Sequence, residues 1–174
     1  NVTQSYGKLM PEYFNVSEKN WRISQCCQFH NPALVKLYNP GTTTKTTALS
    51  PAGKQKVQEK ALSNLDKLYK TITEYFSKQP KNLRSFRISS TLLPCYTVAE
   101  TKDWYAEIED KIKLKFKKIG DAARQYEVRL STHPGQFTVL ASNNPEVVKN
   151  SIEDLEYHSL FGKYMEIPAN EFVV

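Results

Sequence analysis

The chain has 174 residues, 40% of them hydrophobic, with 24 Lys and Arg against 18 Asp and Glu, a net charge of +6 and 3 cysteines. That length supports one sizeable core without disulfide or metal staples and excludes intrinsic disorder, and its longest apolar runs, such as Ala33-Leu34-Val35, fall far below the roughly 20 residues of a membrane span. Three cysteines, two of them the neighbours Cys26 and Cys27, cannot pair completely, so an intracellular (cytoplasmic or nucleoid-associated) setting is expected despite the sequons Asn1-Val2-Thr3 and Asn15-Val16-Ser17.

Residues 1–21 are polar and aperiodic and read as a lead-in or tail. The first residue is Asn1 rather than Met, so the start is expected to lie inside a longer gene product or to follow processing. Residues 22–27 form a short apolar-leaning run of strand length. Residues 28–50, with Asn31-Pro32, Asn39-Pro40-Gly41 and a run of threonines from Thr42, are expected to be a long irregular connection, the kind of loop that carries function. Ser50-Pro51 then offers an N-cap and a first-turn proline, and Ala61, Leu65, Leu68, Ile72 and Phe76 recur at helical spacing until Gln79-Pro80.

A strand over residues 85–89, a turn at Pro94 and a second helix from Asp103 follow, with Trp104, Ile108, Ile112, Phe116, Ile119 and Ala123 on one stripe. A third strand over residues 127–131 leads into His133-Pro134-Gly135-Gln136. A third helix starts near Asn144-Pro145, its apolar face expected from Val148, Ile152, Leu155, Ser159 and Gly162, and residues 171–174 read as a fourth strand. Strands alternating with helices of this length predict an α/β parallel sheet with right-handed crossovers and functional groups at the carboxyl ends of its strands.

Charge is uneven along this frame. Residues 42–81 hold eight Lys and three acids, whereas residues 141–174 hold two Lys and six acids. A basic stretch can neutralise phosphates, and lysines on a solvated helix face are the commoner origin of such a pattern. At the end of the third strand, His133 has the chemistry of a metal ligand and Gln136 that of a hydrogen-bonding partner for a base edge or phosphate, with Pro134 fixing the turn. A histidine that only caps a strand is the competing reading.

Four segments carry a resemblance. Phe86-Arg87-Ile88-Ser89-Ser90 with Leu93-Pro94, then Leu130-Ser131-Thr132-His133-Pro134-Gly135-Gln136-Phe137, then Asn144-Pro145-Glu146-Val147-Val148, then Asn150-Ser151-Ile152-Glu153-Asp154-Leu155-Glu156-Tyr157-His158 resemble successive motifs of the UV-damage endonucleases. With Arg22-Ile23-Ser24-Gln25-Cys26-Cys27 as the first strand, the resemblance covers residues 22–174. It implies a TIM (β/α)8-barrel repair nuclease, here a partial barrel of about four parallel strands and three helices. It also implies a cluster of divalent metals, manganese being the expected ion, and cleavage 5′ to pyrimidine photoproducts in double-stranded DNA. His133 is then a metal ligand, Gln136 a wedge at the lesion, and Arg87 and Lys45 contacts to the DNA backbone.

The departures from the family pattern matter equally. The family's further metal-binding His four residues past the second motif's proline is replaced by Val98, and Ser24-Gln25 stands where the family has Gly-Tyr, so the lesion probe at Gln25 is polar. A complete barrel needs about 200 residues or more, and the chain's histidines are His30, His133 and His158. His158 is expected to be a packing residue on a helix face and His30 a solvated loop residue. Three readings follow: the amino-terminal half of such a nuclease, inactive alone and completed by a second copy or a complementing barrel half; a degenerate nucleic-acid-binding or interaction module; and a sugar-isomerase-like barrel enzyme.

Overall fold

Alternation decides the sheet. In the segment Ser85-Phe86-Arg87-Ile88, Phe86 and Ile88 are fully buried while Arg87 is half-exposed, the signature of a strand packed on one face. A computed structural model of the chain describes residues 22–172 and 174; the expected lead-in over residues 1–21 and Val173 lie outside the described residues. Strand β1 (Ser85–Ile88) pairs in parallel with β2 (Arg129–Thr132), in register from Ser85 opposite Arg129 to Ile88 opposite Thr132.

The expected first strand is reduced to one parallel bridge, Gln25 to Phe86, with Gln25 N donating to Ser85 O at 2.9 Å and Arg87 N to Gln25 O at 2.9 Å. The expected fourth strand is not formed among the described residues. The amides of Glu171 and Phe172 both bond Pro168 O instead, at 2.8 and 3.2 Å, which turns the backbone away from a ladder. The sheet is therefore two strands and a bridge, where four strands were expected.

The three long helices lie where the periodicity placed them, with local corrections. Residues 28–50 are not irregular throughout: they carry α1 (Pro32–Leu37), capped by Asn31 Oδ1 on Ala33 N at 2.9 Å, and α2 (Lys45–Ala48), capped by Thr44 Oγ1 on Thr47 N at 3.2 Å. Ser50 does not cap the next helix, because its hydroxyl donates to Thr47 O at 2.8 Å and closes α2. Helix α3 (Gly53–Lys70) starts only at Gly53, where a Cβ would stand 1.5 Å from Ala48 O, so the crossing of α2 and α3 admits no side chain.

Past Lys70 the same run widens into a π turn over Thr71–Tyr75 and tightens into a 3-10 turn over Phe76–Lys78. The hydroxyls of Thr71, Thr73 and Ser77 donate back to the carbonyls of Lys67, Tyr69 and Thr73 there, competing with the regular ladder. The second predicted helix is split at Glu107 into α4 (Lys102–Ala106) and α5 (Glu109–Gln125), and α6 (Pro145–Tyr164) opens with Asn144 Oδ1 accepting from Glu146 N at 2.9 Å.

Phe86 joins these layers. Phe29 stacks on it at 5.9 Å, Tyr38 meets it edge-on at 5.0 Å, and Phe76 from the end of the α3 run lies 5.4 Å away. On the other side of the core, Phe116 of α5 stacks on Phe161 of α6 at 5.3 Å. The expected stripe of α5 is buried at Ile112, Phe116, Ile119 and Ala123. At the amino-terminal ends of the strands, Arg22 donates to Glu127 O at 2.6 Å and Arg84 to Tyr126 O at 2.9 Å, so exposed carbonyls there are satisfied by guanidinium groups.

Removing the hub ring leaves a cavity shared by three elements, so Phe86→Ala is expected to lower stability by about 3–5 kcal/mol in urea unfolding. Leu114→Ala, at a side chain 57% exposed, is expected to change it by about 0.5 kcal/mol or less. Equal losses for the two variants would show that the cluster is not the hub.

Candidate functional site at the end of the second strand

The two strands present unlike faces. Phe86 and Leu130 pair on the face covered by the helices, whereas Arg87 and Ser131 pair on the opposite face, where Arg87 Nη2 also reaches Cys26 Sγ at 3.5 Å. That second face carries polar side chains at this register. Arg87 lies on it with a buried Nε that has no hydrogen-bond partner. Arg87 as a whole is half-exposed.

His133 follows the last residue of β2 and is exposed. The preceding residue, Thr132, points the other way, is buried, and hydrogen-bonds Nδ1 of His158 on α6. His158 is fully buried, in agreement with its reading as a packing residue, yet it does more than pack. Its Nε2 lies 3.8 Å from Asp154 Oδ1 and has no hydrogen-bond partner. The carboxylate on that side favours the tautomer with the proton on Nε2, so Thr132 donates to Nδ1.

Asp154 in turn accepts from Gly135 N at 3.2 Å and from Thr138 Oγ1 at 2.5 Å, and Ser151 Oγ accepts from Val139 N at 2.8 Å. Ser151, Asp154 and His158 thus form one polar stripe of α6 that holds the loop carrying His133 and Gln136. The neighbouring Tyr157 accepts from Leu93 N at 3.1 Å and donates to Ser90 O at 2.9 Å, which fixes the loop after β1 as well. From the other side, Asn64 of α3 bonds Gly41 N at 2.7 Å, Gly41 O at 2.9 Å and Leu92 O at 3.0 Å.

This corrects the expected face of α6. Of the expected face, Gly162 is buried and Val148 and Leu155 are half-buried, but Ile152 is 45% exposed and Ser159 is exposed, and the other buried positions are Ser151, Tyr157, His158 and Phe161. Following the aliphatic residues missed a face built of polar groups with partners. The spacing of hydroxyl, carboxylate and imidazole at positions 151, 154 and 158 was the signal that could have found it. Phe137, 81% exposed beside Gln136, is the most exposed large hydrophobic side chain among those described.

The remaining candidates are scattered. Gln25 folds its side chain onto Gln28 O at 3.1 Å, and Lys45 pairs with Glu100 at 2.9 Å, away from His133. Val98 is half-buried and its carbonyl accepts from Thr101 Oγ1 at 2.9 Å in a short 3-10 turn. Among the described residues, no three His, Cys, Asp or Glu side chains are gathered to hold a metal ion. His133 stands there as a single exposed imidazole. Cys26, Cys27 and Cys95 are free thiols, and no described helix is long and apolar enough to cross a membrane.

Burial pushes the imidazole of His158 toward its neutral form; Asp154 opposes this and His133 adds to it. The unfolded chain takes up a proton on this residue near its ordinary value of 6.5, whereas the folded chain takes it up only at lower pH. Stability is thus complete above that value and is lost as pH falls below it. Urea midpoints between pH 7 and pH 5 are expected to fall more steeply for the wild type than for His158→Gln; parallel slopes would show that His158 does not contribute.

The family model of UV-endonuclease UvdE matches residues 19–174. The UV DNA damage endonuclease of Nostoc sp. is 35% identical over 131 residues, 74% of this chain and 39% of that protein, and that of Clostridium perfringens is 33% identical over 68% of this chain and 27% of that protein. The crystal structure of SacUVDE superposes with a TM-score of 0.69 at 28% identity, covering 85% of this chain and 47% of the other. The chain thus spans less than half the length of each of these relatives. With the family match running over residues 19–174, through the His133 loop, and the chain superposing on SacUVDE, the chain belongs to the UV-endonuclease UvdE family.

Proposed function

We propose that the chain forms the first part of a metal-dependent DNA repair endonuclease that cuts double-stranded DNA 5′ to UV photoproducts. The observation that supports this most directly is the loop after β2, which stands off the carboxyl end of the strand with His133, Gln136 and Phe137 exposed. In a parallel α/β sheet this end is where ligands are received. Gln136 and Phe137 pair a hydrogen-bonding carboxamide with an apolar ring, a combination suited to entering a base step that a lesion has already weakened.

His133 is proposed as one ligand of a divalent metal, with manganese the expected ion. The described residues do not complete that site, so no chemical step is assigned to them. The remaining ligands are proposed to come from the part of the relatives' length that this chain does not span, supplied in an intact protein or by a complementing copy. Val98 and the single exposed ligand favour a second reading, a damage-binding module without catalysis. Arg87 and Gln25 are proposed to act from the polar face and first strand, and Lys45 only weakly, since Glu100 competes for it.

Two assays on the chain test this. Anisotropy with a duplex bearing a single pyrimidine dimer is expected to show tighter binding than the undamaged duplex, weakening as salt is raised. Nicking of UV-irradiated supercoiled plasmid in Mn2+ is expected to be absent for these residues alone, and metal-dependent nicking would mean that a second copy supplies ligands. Equal binding to damaged and undamaged duplex would contradict the proposal.

A further inference from the structure

We propose that Asp154 is a positioning residue that holds Gln136 and Phe137 in the geometry needed to discriminate damaged from intact duplex; this rests on the reading that the loop engages a lesion. The loop is a tight turn in which Thr138 N donates to Gly135 O at 3.1 Å. Gln136 and Phe137 are its two central residues, so the turn presents them at its tip. One carboxylate oxygen of Asp154 bridges both ends of that turn, accepting from Gly135 N at 3.2 Å and from Thr138 Oγ1 at 2.5 Å.

The carboxylate is itself held in place. Asp154 is mostly buried, with 27% of its side chain exposed, and its second oxygen faces the Nε2 of the fully buried His158 at 3.8 Å. His158 is anchored by Thr132, at the end of the strand that leads into the same loop. One turn before Asp154, Ser151 receives Val139 N at 2.8 Å. Strand end, turn and loop exit are therefore all referred to one face of α6, while the tip residues face solvent. Such a turn has its conformational entropy removed before DNA arrives, which favours insertion at a lesion without changing attraction to phosphates.

The test compares Asp154→Ala, Asp154→Asn and Thr138→Val in the full chain by amide hydrogen exchange and by affinity for damaged and undamaged duplex. In Asp154→Ala, exchange at Gly135 and Thr138 is expected to speed up about tenfold or more, with amides of α6 around Phe161 unchanged. The preference for damaged duplex is expected to fall about tenfold with affinity for undamaged duplex held within about twofold. Asp154→Asn keeps an accepting oxygen and is expected to restore most of the preference, with Thr138→Val intermediate.

Unchanged exchange at Gly135 in Asp154→Ala and in Thr138→Val overturns the inference whatever the DNA results. Faster exchange with the damage preference intact overturns its functional half. A wild type without any damage preference refutes the reading of the loop as a lesion probe, while faster exchange in the variants would still establish Asp154 as the turn's clamp. If Asp154→Ala does not fold, Asp154→Asn and Thr138→Val carry the same comparisons.

Discussion

A parallel strand ends in a loop whose amides and carbonyls have no ladder to join, and each that is shielded from water needs another partner. Here the partners are side chains on two helices. Asn64 of α3 joins the loop around Gly41 to Leu92, Tyr157 of α6 holds Ser90 and Leu93, and Asp154 and Ser151 hold the loop after β2. Asn64 and Tyr157 are buried, so breaking their bonds would strand polar groups without solvent. The mouth of the sheet is built by these clamps more than by the strands, which are only four residues each.

The same logic explains where the charge surplus goes. Of the eight lysines between residues 42 and 81, Lys45, Lys54 and Lys81 pair with Glu100, Glu107 and Glu127, and Lys60 and Lys67 donate to Thr42 O and Asn39 O. Lys45, Lys54, Lys60 and Lys67 join the long first loop and α3 to their neighbours, and Lys81 links the segments that precede the two strands. The ion pairs are exposed and individually weak. A basic count in the sequence therefore overstates the positive surface free to meet phosphates, and the exposed loop after β2 is the better guide to a ligand-facing surface.

The sequence made the frame legible wherever hydrophobic period and packing agree: the stripes of α3 and α5, and the strand around Phe86, appear as expected. It misled where polar groups take over the work of apolar ones. The face of α6 is set by Ser151, Asp154 and His158, which a hydrophobic pattern cannot reveal because their burial depends on partners far away in the chain. The strand ends were overread for a related reason. A run such as residues 22–27 has strand character, but a strand exists only to the extent that a neighbour offers a ladder, and Gln25 finds just one bridge. The short helices α1 and α2 are capped by Asn31, before Pro32, and by Thr44, residue types that punctuate loops as readily as they start helices.

On the proposed function, two faces of the molecule are candidates to meet DNA: the clamped loop after β2 with the polar strand face behind it, and the lysine-bearing outer surfaces of α3 and α5. Backbone amide shifts recorded while a dimer-containing duplex is titrated into the labelled chain separate them directly. The largest changes are expected at residues 133–139 and at Arg87, with α3 and α5 little affected. Changes concentrated on the lysines of α3 and α5, with the loop after β2 silent, would show that the chain meets DNA through diffuse charge and that the clamped loop has another purpose.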